Sequence, residues 1–279
     1  MTADAARGAY GFRLRGLDGA HRLLAPVPAG WPTLEILWRP AVGPGPLGDS
    51  VTADRVELRL QTGGWVLIDR TPLRAAFHLL TRPDDGALVH PYLAPVAAMA
   101  ARWVGRDSFH AGAVIVDGGA WALVGDKGSG KSSTLAHLAL SGYEIVTDDV
   151  LILEDGEALA GPRCVDLRPE PAAELGVGTP LGVIGQRERW RMELGPPTAP
   201  RLPLRGWVRL DWHDRVEVGH VRGAQRLTAV DQHRAVRLPT SDPRGLLDVS
   251  ALPVLELRRP QRWTALSEAA DRLIGAIAG

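Results

Sequence analysis

The residues best suited to chemistry lie in one short stretch, GDKGSGKSS, from Gly125 to Ser133. This stretch fits the pattern G-x-x-x-x-G-K-S/T, in which a glycine-rich turn lets backbone N–H groups converge on phosphate oxygens. The lysine of the pattern reaches the β- and γ-phosphates of a nucleotide, and the next hydroxyl binds Mg²⁺. The stretch therefore predicts a bound ATP with Mg²⁺. The alternative is a glycine-rich turn that binds no ligand.

We expect the whole loop to contact the nucleotide. The predicted ATP site consists of Gly125, Asp126, Lys127, Gly128, Ser129, Gly130, Lys131, Ser132 and Ser133. Lys127 and Lys131 are also the only lysines of a chain that otherwise uses arginine. A compact ammonium reaches phosphates where a planar guanidinium fits differently, so Lys131 is explained by its chemistry. Lys127 occupies an unrestricted position of the pattern.

Two neighbouring carboxylates, Asp148 and Asp149, follow an apolar segment shortly after the loop. Phosphoryl transfer to a hydroxyl needs a carboxylate that holds Mg²⁺ and a carboxylate that accepts the proton. Neighbours on a regular strand point to opposite faces, so both can serve one site only if the strand twists or ends there. The alternative is a solvated strand end or a pair that caps a turn.

The segments around these residues are predicted to form a strand, a loop, a helix and a strand in that order. AVIV, DGG and WALV predict a hairpin, so the strand that enters the loop pairs antiparallel with its predecessor. KSSTLAHLALSG predicts a helix that ends at Gly142. YEIVTDDVLILEDGEALAG predicts a long strand, a turn at EDG and a return strand. The later segments VDLRPEPAAELG, RLPLRGWVRLDW and VLELRR predict strands and short helices, and RWTALSEAADRLIGAIAG predicts an amphipathic helix.

The N-terminal third predicts a small β-rich unit. Its short extended runs, YGFRLRG, LEILW, RVELRLQ and WVLIDR, are separated by glycine and proline. We expect the tract from Arg39 to Ser50 to be a loop, and a helix from Pro91 to about Val104 to lead into the rest of the chain. The boundary is placed near residue 95, which divides the chain into 1–95 and 96–279.

Composition bounds the partners of the protein. The 279 residues include 32 Lys+Arg and 32 Asp+Glu, and no block of like charge suggests a nucleic acid or an acidic membrane as partner. The single cysteine, Cys164, excludes an internal disulfide and a cysteine-based metal site. The sequence shows neither a secretion signal nor a membrane span. We expect a soluble, cytoplasmic protein, and leave a homo-oligomer open.

The run from Phe109 to Leu153 resembles the catalytic core of the HPr kinase/phosphorylase family. In that family a histidine opens a hairpin, the hairpin leads into G-D-S-x-x-G-K-S, and an Asp-Asp pair follows the next helix. The resemblance implies an α/β fold with a mixed sheet, a P-loop kinase core of the HPr kinase/phosphoenolpyruvate carboxykinase type over 96–279. It also implies an ATP- and Mg²⁺-dependent kinase that acts on a serine hydroxyl. By matching position, the implied catalytic residues are His110, Lys131, Asp148 and Asp149.

On this reading, the two aspartates divide the work. We assign the acceptor proton to Asp149 and Mg²⁺ to Ser132 and Asp148, and leave the exchange of roles between the aspartates open. His110 and an arginine of RERWR would steady the charge on the transferring phosphoryl group. That arginine would be Arg187, Arg189 or Arg191. A solvated loop is the preferred reading of this arginine cluster.

The chain departs from the family in two respects. The arginine-glycine signature linked to the phosphorylase reaction does not follow soon after the aspartates, and the similar PLRGWVRLDW lies much further along, which argues against phosphorylase activity. The N-terminal part and the length are more similar to HPr-kinase-like proteins of actinobacterial gene clusters. Some of these, including lasso-peptide tailoring kinases, phosphorylate a serine of a ribosomally made precursor peptide. The resemblance thus implies a peptide or small-protein acceptor.

Other functions remain compatible with the residues. A kinase of small metabolites would share the loop and the aspartates, but would need a closed pocket instead of an open groove. A carboxykinase is not expected, because that family's metal site uses a lysine outside the phosphate loop, which this chain lacks. A non-catalytic, ATP-dependent peptide-binding module would need the phosphate contacts of the loop and the metal. It would not need both aspartates.

Overall fold

A computed structural model describes residues 6–43, 45–60, 63–197, 199–237 and 243–279. It shows a mixed α/β protein with three sheets, which confirms the predicted α/β class. Seven α-helices accompany the sheets within the described ranges: α1 (Asp85–Ala87), α2 (Leu93–Ala101), α3 (Lys131–Leu140), α4 (Pro169–Leu175), α5 (Gln225–Asp231), α6 (Pro243–Ala251) and α7 (Leu266–Ala278). None of these helices combines the length and the apolar character that a membrane span requires.

The first sheet is formed by the N-terminal residues. Its eight strands lie in the spatial order β3-β1-β2-β4-β8-β7-β6-β5. They are β1 (Arg7–Ala9), β2 (Phe12–Arg15), β3 (Ala25–Pro26), β4 (Thr33–Pro40), β5 (Ser50–Val51), β6 (Arg55–Leu60), β7 (Gly64–Asp69) and β8 (Arg74–Leu79). Alternate residues of β7 and β8, such as Val66 and Phe77, are buried in one core together with α2. The predicted β-rich character of this region and the helix after it are confirmed, while the boundary near residue 95 stays a prediction.

The second sheet contains the strand that leads into the glycine-rich loop. Its strands are β9 (Asp107–Phe109), β10 (Gly112–Val116), β11 (Gly119–Val124), β12 (Ile145–Thr147), β13 (Leu151–Glu154), β14 (Glu157–Leu159), β18 (Arg201–Trp212), β19 (Glu217–His220) and β20 (Val254–Arg259). The third sheet consists of β15 (Cys164–Leu167), β16 (Thr179–Ile184) and β17 (Arg187–Glu193), with β17 in the centre. RERWR therefore belongs to a strand, and the expectation of a solvated loop was wrong.

Three parallel strands bring distant residues to one edge of the second sheet. β11 pairs in parallel with β18, and β18 pairs in parallel with β20. Their register places Val124 opposite Arg209, and Trp212 opposite Arg259. Since the carboxyl ends of parallel strands meet at the same edge, the loop after β11 opens beside the ends of β18 and β20.

The hairpin before the loop has the predicted form. β10 and β11 pair antiparallel, and Val116 lies opposite Gly119. Asp117 and Gly118 form the turn with φ values of 48° and 73°. Positive φ at both central residues is the requirement of the tight turn that matches strand twist. All residues of β11 are buried, so the chain enters the loop from a central strand.

Helix α3 follows the loop directly, as predicted. Leu135 and Leu138 on one side of α3 are buried in the core of the second sheet. Gly142 comes after the last turn with a φ of 91°, a conformation in which glycine ends a helix without the steric cost of a Cβ. The predicted helix and its stop are confirmed.

The predicted long strand after α3 is in fact two strands. β12 ends at Thr147 and pairs with β10, whereas β13 begins at Leu151 and pairs with β9 and β14. Asp149 lies between them with a φ of 69°, a left-handed conformation that interrupts strand geometry. Asp148 and Asp149 thus occupy a bend, the condition under which neighbouring side chains can serve one site. The turn at EDG and its return strand are confirmed.

Candidate active site

The loop between β11 and α3 has the backbone of a phosphate cradle. Gly125, Gly128 and Gly130 have φ values of 151°, 94° and 89°, which side chains rarely allow. A Cβ at Gly125 would overlap the Ser129 hydroxyl, and a Cβ at Gly130 would overlap the guanidinium of Arg259. The ten-residue helix α3 starts at this loop and directs the positive end of its dipole into it.

Lys131 is folded back onto this loop. Its Nζ donates hydrogen bonds to the carbonyl oxygens of Gly125, at 2.6 Å, and of Asp126, at 3.3 Å. Burial lowers the pKa of Lys131, while Asp149, Asp148 and Asp126 oppose that shift. A phosphate in the loop would offer this ammonium a charged acceptor in place of two carbonyls, which makes a stronger hydrogen bond. The loop residues and Lys131 therefore fit a nucleotide phosphate.

Ser132 and Asp148 present oxygen atoms next to the loop. The Ser132 hydroxyl donates a hydrogen bond of 3.0 Å to Asp148 Oδ1. Asp148 is 3% exposed. Burial raises its pKa to about 6; Asp149 adds to the shift, and His90 and the Ser132 hydroxyl oppose it. Hard oxygen ligands of this kind suit Mg²⁺, which needs only one or two of them because it keeps waters and phosphate oxygens.

Within the described ranges, no three or more His, Cys, Asp or Glu side chains form a metal-binding cluster. Ser132 and Asp148 would therefore hold Mg²⁺ only together with phosphate oxygens. The two protein oxygens fit that shared mode of binding, and we retain them as the predicted metal ligands.

Asp149 has a different environment from its neighbour. Its side chain is 38% exposed and its Oδ1 lies 3.4 Å from Nδ1 of His110. The backbone N–H of Asp149 donates to Asp148 Oδ1 at 2.9 Å, so the bend holds the two carboxyl groups in a fixed relation. One carboxylate is thus buried beside Ser132, and the other opens to solvent beside His110.

His110 lies between β9 and β10, and a second histidine holds its backbone. The N–H of His110 donates to the carbonyl oxygen of His233 at 2.6 Å. Burial lowers the pKa of His233 to about 4, and Lys131 is the next largest cause. His233 is therefore neutral at neutral pH and supports His110 without adding charge. Nothing in the local sequence around His233 indicated this position.

Arg259 and Trp212 form the far side of the loop. The Arg259 guanidinium lies 4.4 Å from the centre of the Trp212 ring, a cation–π contact. Burial lowers the pKa of Arg259 to about 10, so it stays charged at neutral pH. Sequence reasoning missed both residues. The signal that could have found them is the parallel pairing of β11, β18 and β20, which a single sequence does not reveal.

The arginines of RERWR have different environments. Arg191 donates to both carboxylate oxygens of Asp166, at 2.8 and 3.0 Å, and to the carbonyl oxygens of Gly86 and His90, at 2.9 and 2.6 Å. We call this set the arginine clamp. Because Arg191 makes these four hydrogen bonds and its side chain is buried, it has a structural role. Arg189 is 26% exposed and lies 3.9 Å from Asp166, which leaves it the better candidate for a phosphoryl group.

His90 is a buried residue that sequence reasoning also missed. Its Nε2 lies 3.9 Å from Asp166 Oδ2, and its Nδ1 has no hydrogen-bond partner among the described residues. The 86–92 segment of the N-terminal region thus reaches the buried Asp166 and its partner Arg191.

A cavity of about 890 Å³ connects these groups. The predicted residues that line it are His110, Lys127, Gly128, Gly130, Lys131, Ser132, Ser133, Asp148 and Asp149. Gly125, Asp126 and Ser129 belong to the loop but do not line the cavity. Trp212 and Trp263 also line the cavity, and so do Leu58 and Tyr92 of the N-terminal region. A volume of this size is typical of ligand sites.

The arginine-glycine pair of PLRGWVRLDW lies away from this cavity. Arg205 is next to Gly119 at the start of β11, whereas the loop follows the end of that strand. The five residues of β11 between Gly119 and the loop correspond to about 16 Å of strand. This pair therefore does not take part in the site.

Comparison with known proteins adds little to this geometry. No family model matches the sequence, and no curated protein matches it. Among solved structures, the Hpr(Ser) kinase/phosphatase from Coxiella burnetii is similar to 62% of this chain, over 99% of its own length, with 13% sequence identity and a TM-score of 0.27. Identity and superposition are both too low for the activity of that protein to be transferred to this chain.

Proposed function

We propose that this protein is an ATP- and Mg²⁺-dependent phosphotransferase that phosphorylates a hydroxyl group, with a serine of a peptide or small protein as acceptor. The observation that carries the proposal is the contrast between two adjacent carboxylates. Asp148 is buried against Ser132, as a metal ligand would be, and Asp149 is half-exposed beside His110, as a base would be. A module that only binds ATP would have no use for the second carboxylate.

Each residue has a defined task in this transfer. Loop N–H groups and Lys131 would bind the β- and γ-phosphates, and Ser132 and Asp148 would hold Mg²⁺, which would neutralise phosphate charge. Asp149 accepts the proton of the acceptor hydroxyl while the oxygen of that hydroxyl forms a bond to the γ-phosphorus. The bond between that phosphorus and the bridging oxygen breaks, and ADP leaves with the electron pair.

Charged side chains around the loop would stabilise the transferring group. Arg259 lies against Gly130 at the start of α3, and Arg189 lines the cavity. Cations fixed in a partly buried site stabilise the charge that develops in the transition state, because they need not reorganise during the reaction. His110 orients Asp149 through their 3.4 Å contact.

The peptide acceptor is supported by the sequence resemblance. The N-terminal region contributes Leu58 and Tyr92 to the wall of the cavity, which therefore extends beyond the phosphate loop. A ribosomally made precursor peptide is the acceptor that the resemblance favours. A small metabolite on the same machinery is the outcome that the experiment must separate from it.

The test uses ATP labelled on the γ-phosphate with Mg²⁺ and with peptide-sized and metabolite-sized fractions of the source cell. Asp149→Asn and Lys131→Ala should remove the label. Asp155→Asn is the matched control, because Asp155 also has a left-handed backbone, with a φ of 51°, in a turn outside the cavity. Label only in small molecules would replace the peptide acceptor by a metabolite. ATP binding without label in any fraction would refute the kinase.

A further inference from the structure

The first hairpin of the N-terminal region ends in a buried turn. β1 and β2 pair antiparallel, with Ala9 opposite Phe12, and Tyr10 and Gly11 form the turn with φ values of 58° and 80°. Connections between strands normally run over the surface, but Tyr10 is 0% exposed. A left-handed backbone is also uncommon for a residue with a bulky side chain. Both features indicate that the surrounding structure holds Tyr10 in place.

Residues in and next to the second sheet fix this turn. The N–H of Tyr10 donates to the carbonyl oxygen of Ala160 at 2.7 Å. The carbonyl oxygen of Gly11 accepts a hydrogen bond of 2.8 Å from Nη1 of Arg106, and Nε of Arg106 donates to Glu154 at 2.7 Å. A Cβ at Gly11 would overlap the guanidinium of Arg106. The turn is thus attached to the region of β13 and β14 by backbone and side-chain hydrogen bonds.

The side chain of Tyr10 reaches Thr147, the last residue of β12. A Cβ at Gly161 would overlap the Thr147 side chain and would lie 3.1 Å from Cε1 of the Tyr10 ring. The two side chains therefore lie next to each other against the same glycine. Burial raises the pKa of Tyr10 well above its ordinary value, and the charge of Asp149 is the next largest cause. The phenol is thus a neutral group close to the bend that contains Asp149.

Thr147 holds this bend with its side chain. Its Oγ1 donates a hydrogen bond of 2.7 Å to the carbonyl oxygen of Val150, so one bond spans both aspartates. The N–H of Val150 donates to the carbonyl oxygen of Asp148 at 2.9 Å. These two bonds enclose Asp149, whose left-handed backbone lies between the end of β12 and the start of β13. The conformation of Asp149 therefore depends on the Thr147 hydroxyl.

Thr147 and Tyr10 do not contact a substrate directly. Both are fully buried, and neither lines the cavity, whereas Asp148 and Asp149 do. Any effect of these two residues on the reaction must therefore act through the aspartates. A catalytic group that is displaced by a fraction of its working distance loses much of its effect, so the residues that fix its position matter for the rate.

We propose that Thr147 and Tyr10 are positioning residues for phosphoryl transfer. The Thr147 hydroxyl fixes the bend in the conformation that presents Asp149 to the acceptor, and the Tyr10 ring packs beside Thr147 and keeps that hydroxyl directed at Val150. The first hairpin of the N-terminal region thereby supports the catalytic base. This inference rests on the proposed function, because Asp149 is the base of that reaction.

The experiment changes the hydrogen bond across the bend and the ring beside it. Thr147→Val keeps the shape of the side chain and removes the hydroxyl, whereas Thr147→Ser keeps the hydroxyl. Tyr10→Leu removes the ring, whereas Tyr10→Phe keeps it. Thr134→Val is the matched control, because Thr134 is also fully buried, does not line the cavity and has no hydrogen-bond partner for its hydroxyl within the described ranges.

Initial rates of transfer from γ-labelled ATP are measured at saturating Mg²⁺ over a dilution series of the peptide-sized fraction, and ATP affinity is measured by titration calorimetry. Thr147→Val and Tyr10→Leu should lower kcat by about 10–100-fold, because the base is no longer held in its working position. KM for the peptide fraction and the ATP affinity should stay within about twofold of the wild type. Thr147→Ser, Tyr10→Phe and Thr134→Val should transfer label at nearly the wild-type rate.

Four results would overturn the inference. They are a wild-type rate in Thr147→Val, an equally slow rate in Thr147→Ser, equal rates in Tyr10→Leu and Tyr10→Phe, and a loss of ATP affinity that matches the loss of rate. If Thr147→Val does not fold, the two Tyr10 variants decide. Each of these results leaves the proposed function intact, because the wild type still transfers label. A wild type that binds ATP and labels no fraction is a separate result, which refutes the kinase and this inference with it.

Discussion

The stability of Asp148→Asn relative to the wild type should rise with pH in the absence of Mg²⁺, although the substitution removes a predicted metal ligand. Asp148 is buried, and its pKa is raised from 3.8 to about 6. The folded protein therefore holds this proton more tightly than the unfolded chain does. Its unfolding free energy falls as the pH rises through this interval and then stays lower, because above it a charged carboxylate is buried.

A pKa raised from 3.8 to about 6 corresponds to about 3 kcal/mol, since a tenfold change in proton affinity is worth about 1.4 kcal/mol. About 2 kcal/mol of this falls between about pH 4.5 and about pH 7.5. Asparagine cannot ionise, and its Oδ1 can accept the same hydrogen bonds from Ser132 and from the N–H of Asp149. Its Nδ2 adds a buried donor, but the cost of that donor does not change with pH.

The assay is urea unfolding with EDTA at several pH values, for the wild type, Asp148→Asn and the control Asp155→Asn. The difference in unfolding free energy between Asp148→Asn and the wild type should move by about 2 kcal/mol in favour of the variant from about pH 4.5 to about pH 7.5. Asp155→Asn should show no such trend. A difference for Asp148→Asn that is constant over this range would refute the reasoning. Phosphoryl transfer should be lost in the same variant.

Three further predictions concern the clamp, the loop and the base. Arg191→Gln should lower the unfolding free energy by about 3–5 kcal/mol, because the buried Asp166 loses its bidentate partner, and a loss below about 1 kcal/mol in thermal unfolding would contradict this. Gly130→Ala should abolish ATP binding in titration calorimetry, because the φ of 89° at this position is one that alanine rarely adopts, so the loop backbone must change; unchanged affinity would contradict it. Asp149→Asn should keep the unfolding midpoint, since asparagine tolerates a left-handed backbone, and should slow transfer by about 10²–10⁴-fold. A transfer rate close to that of the wild type would show that Asp149 is not the base.

The parts of the fold that the sequence predicts are those with local causes. The hairpin depends on Asp117 and Gly118, the helix end on Gly142, and the loop on its glycines, and all of these signals lie within a few residues of their effect. The break at Asp149 also depends on a left-handed backbone, as the turn at Asp117 and Gly118 does. An aspartate inside an apolar run does not by itself predict that conformation. The run therefore predicted one long strand.

Long-range pairing explains what the sequence did not predict. Arg191 meets Asp166, which lies 25 residues away, and a carbonyl of residue 86, which lies 105 residues away. Its position in a strand instead of a solvated loop depends on the third sheet, whose strands have weak local patterns. The loop, His110 and the aspartates could be predicted because they lie within one short run, whereas Arg259 and Trp212 reach the loop only through the parallel pairing of β18 and β20.

The two side-chain amines of the chain lie in the same loop but in different states. Lys127 is exposed, whereas Lys131 is partly buried and donates to the carbonyls of Gly125 and Asp126. A mild amine-reactive reagent would therefore modify few places besides this loop. Mass spectrometry of the peptides that contain this loop, with and without nucleotide, would then report how a ligand changes access to each lysine. Because the chain has no other lysine, amine modification would report on this loop alone among the side chains.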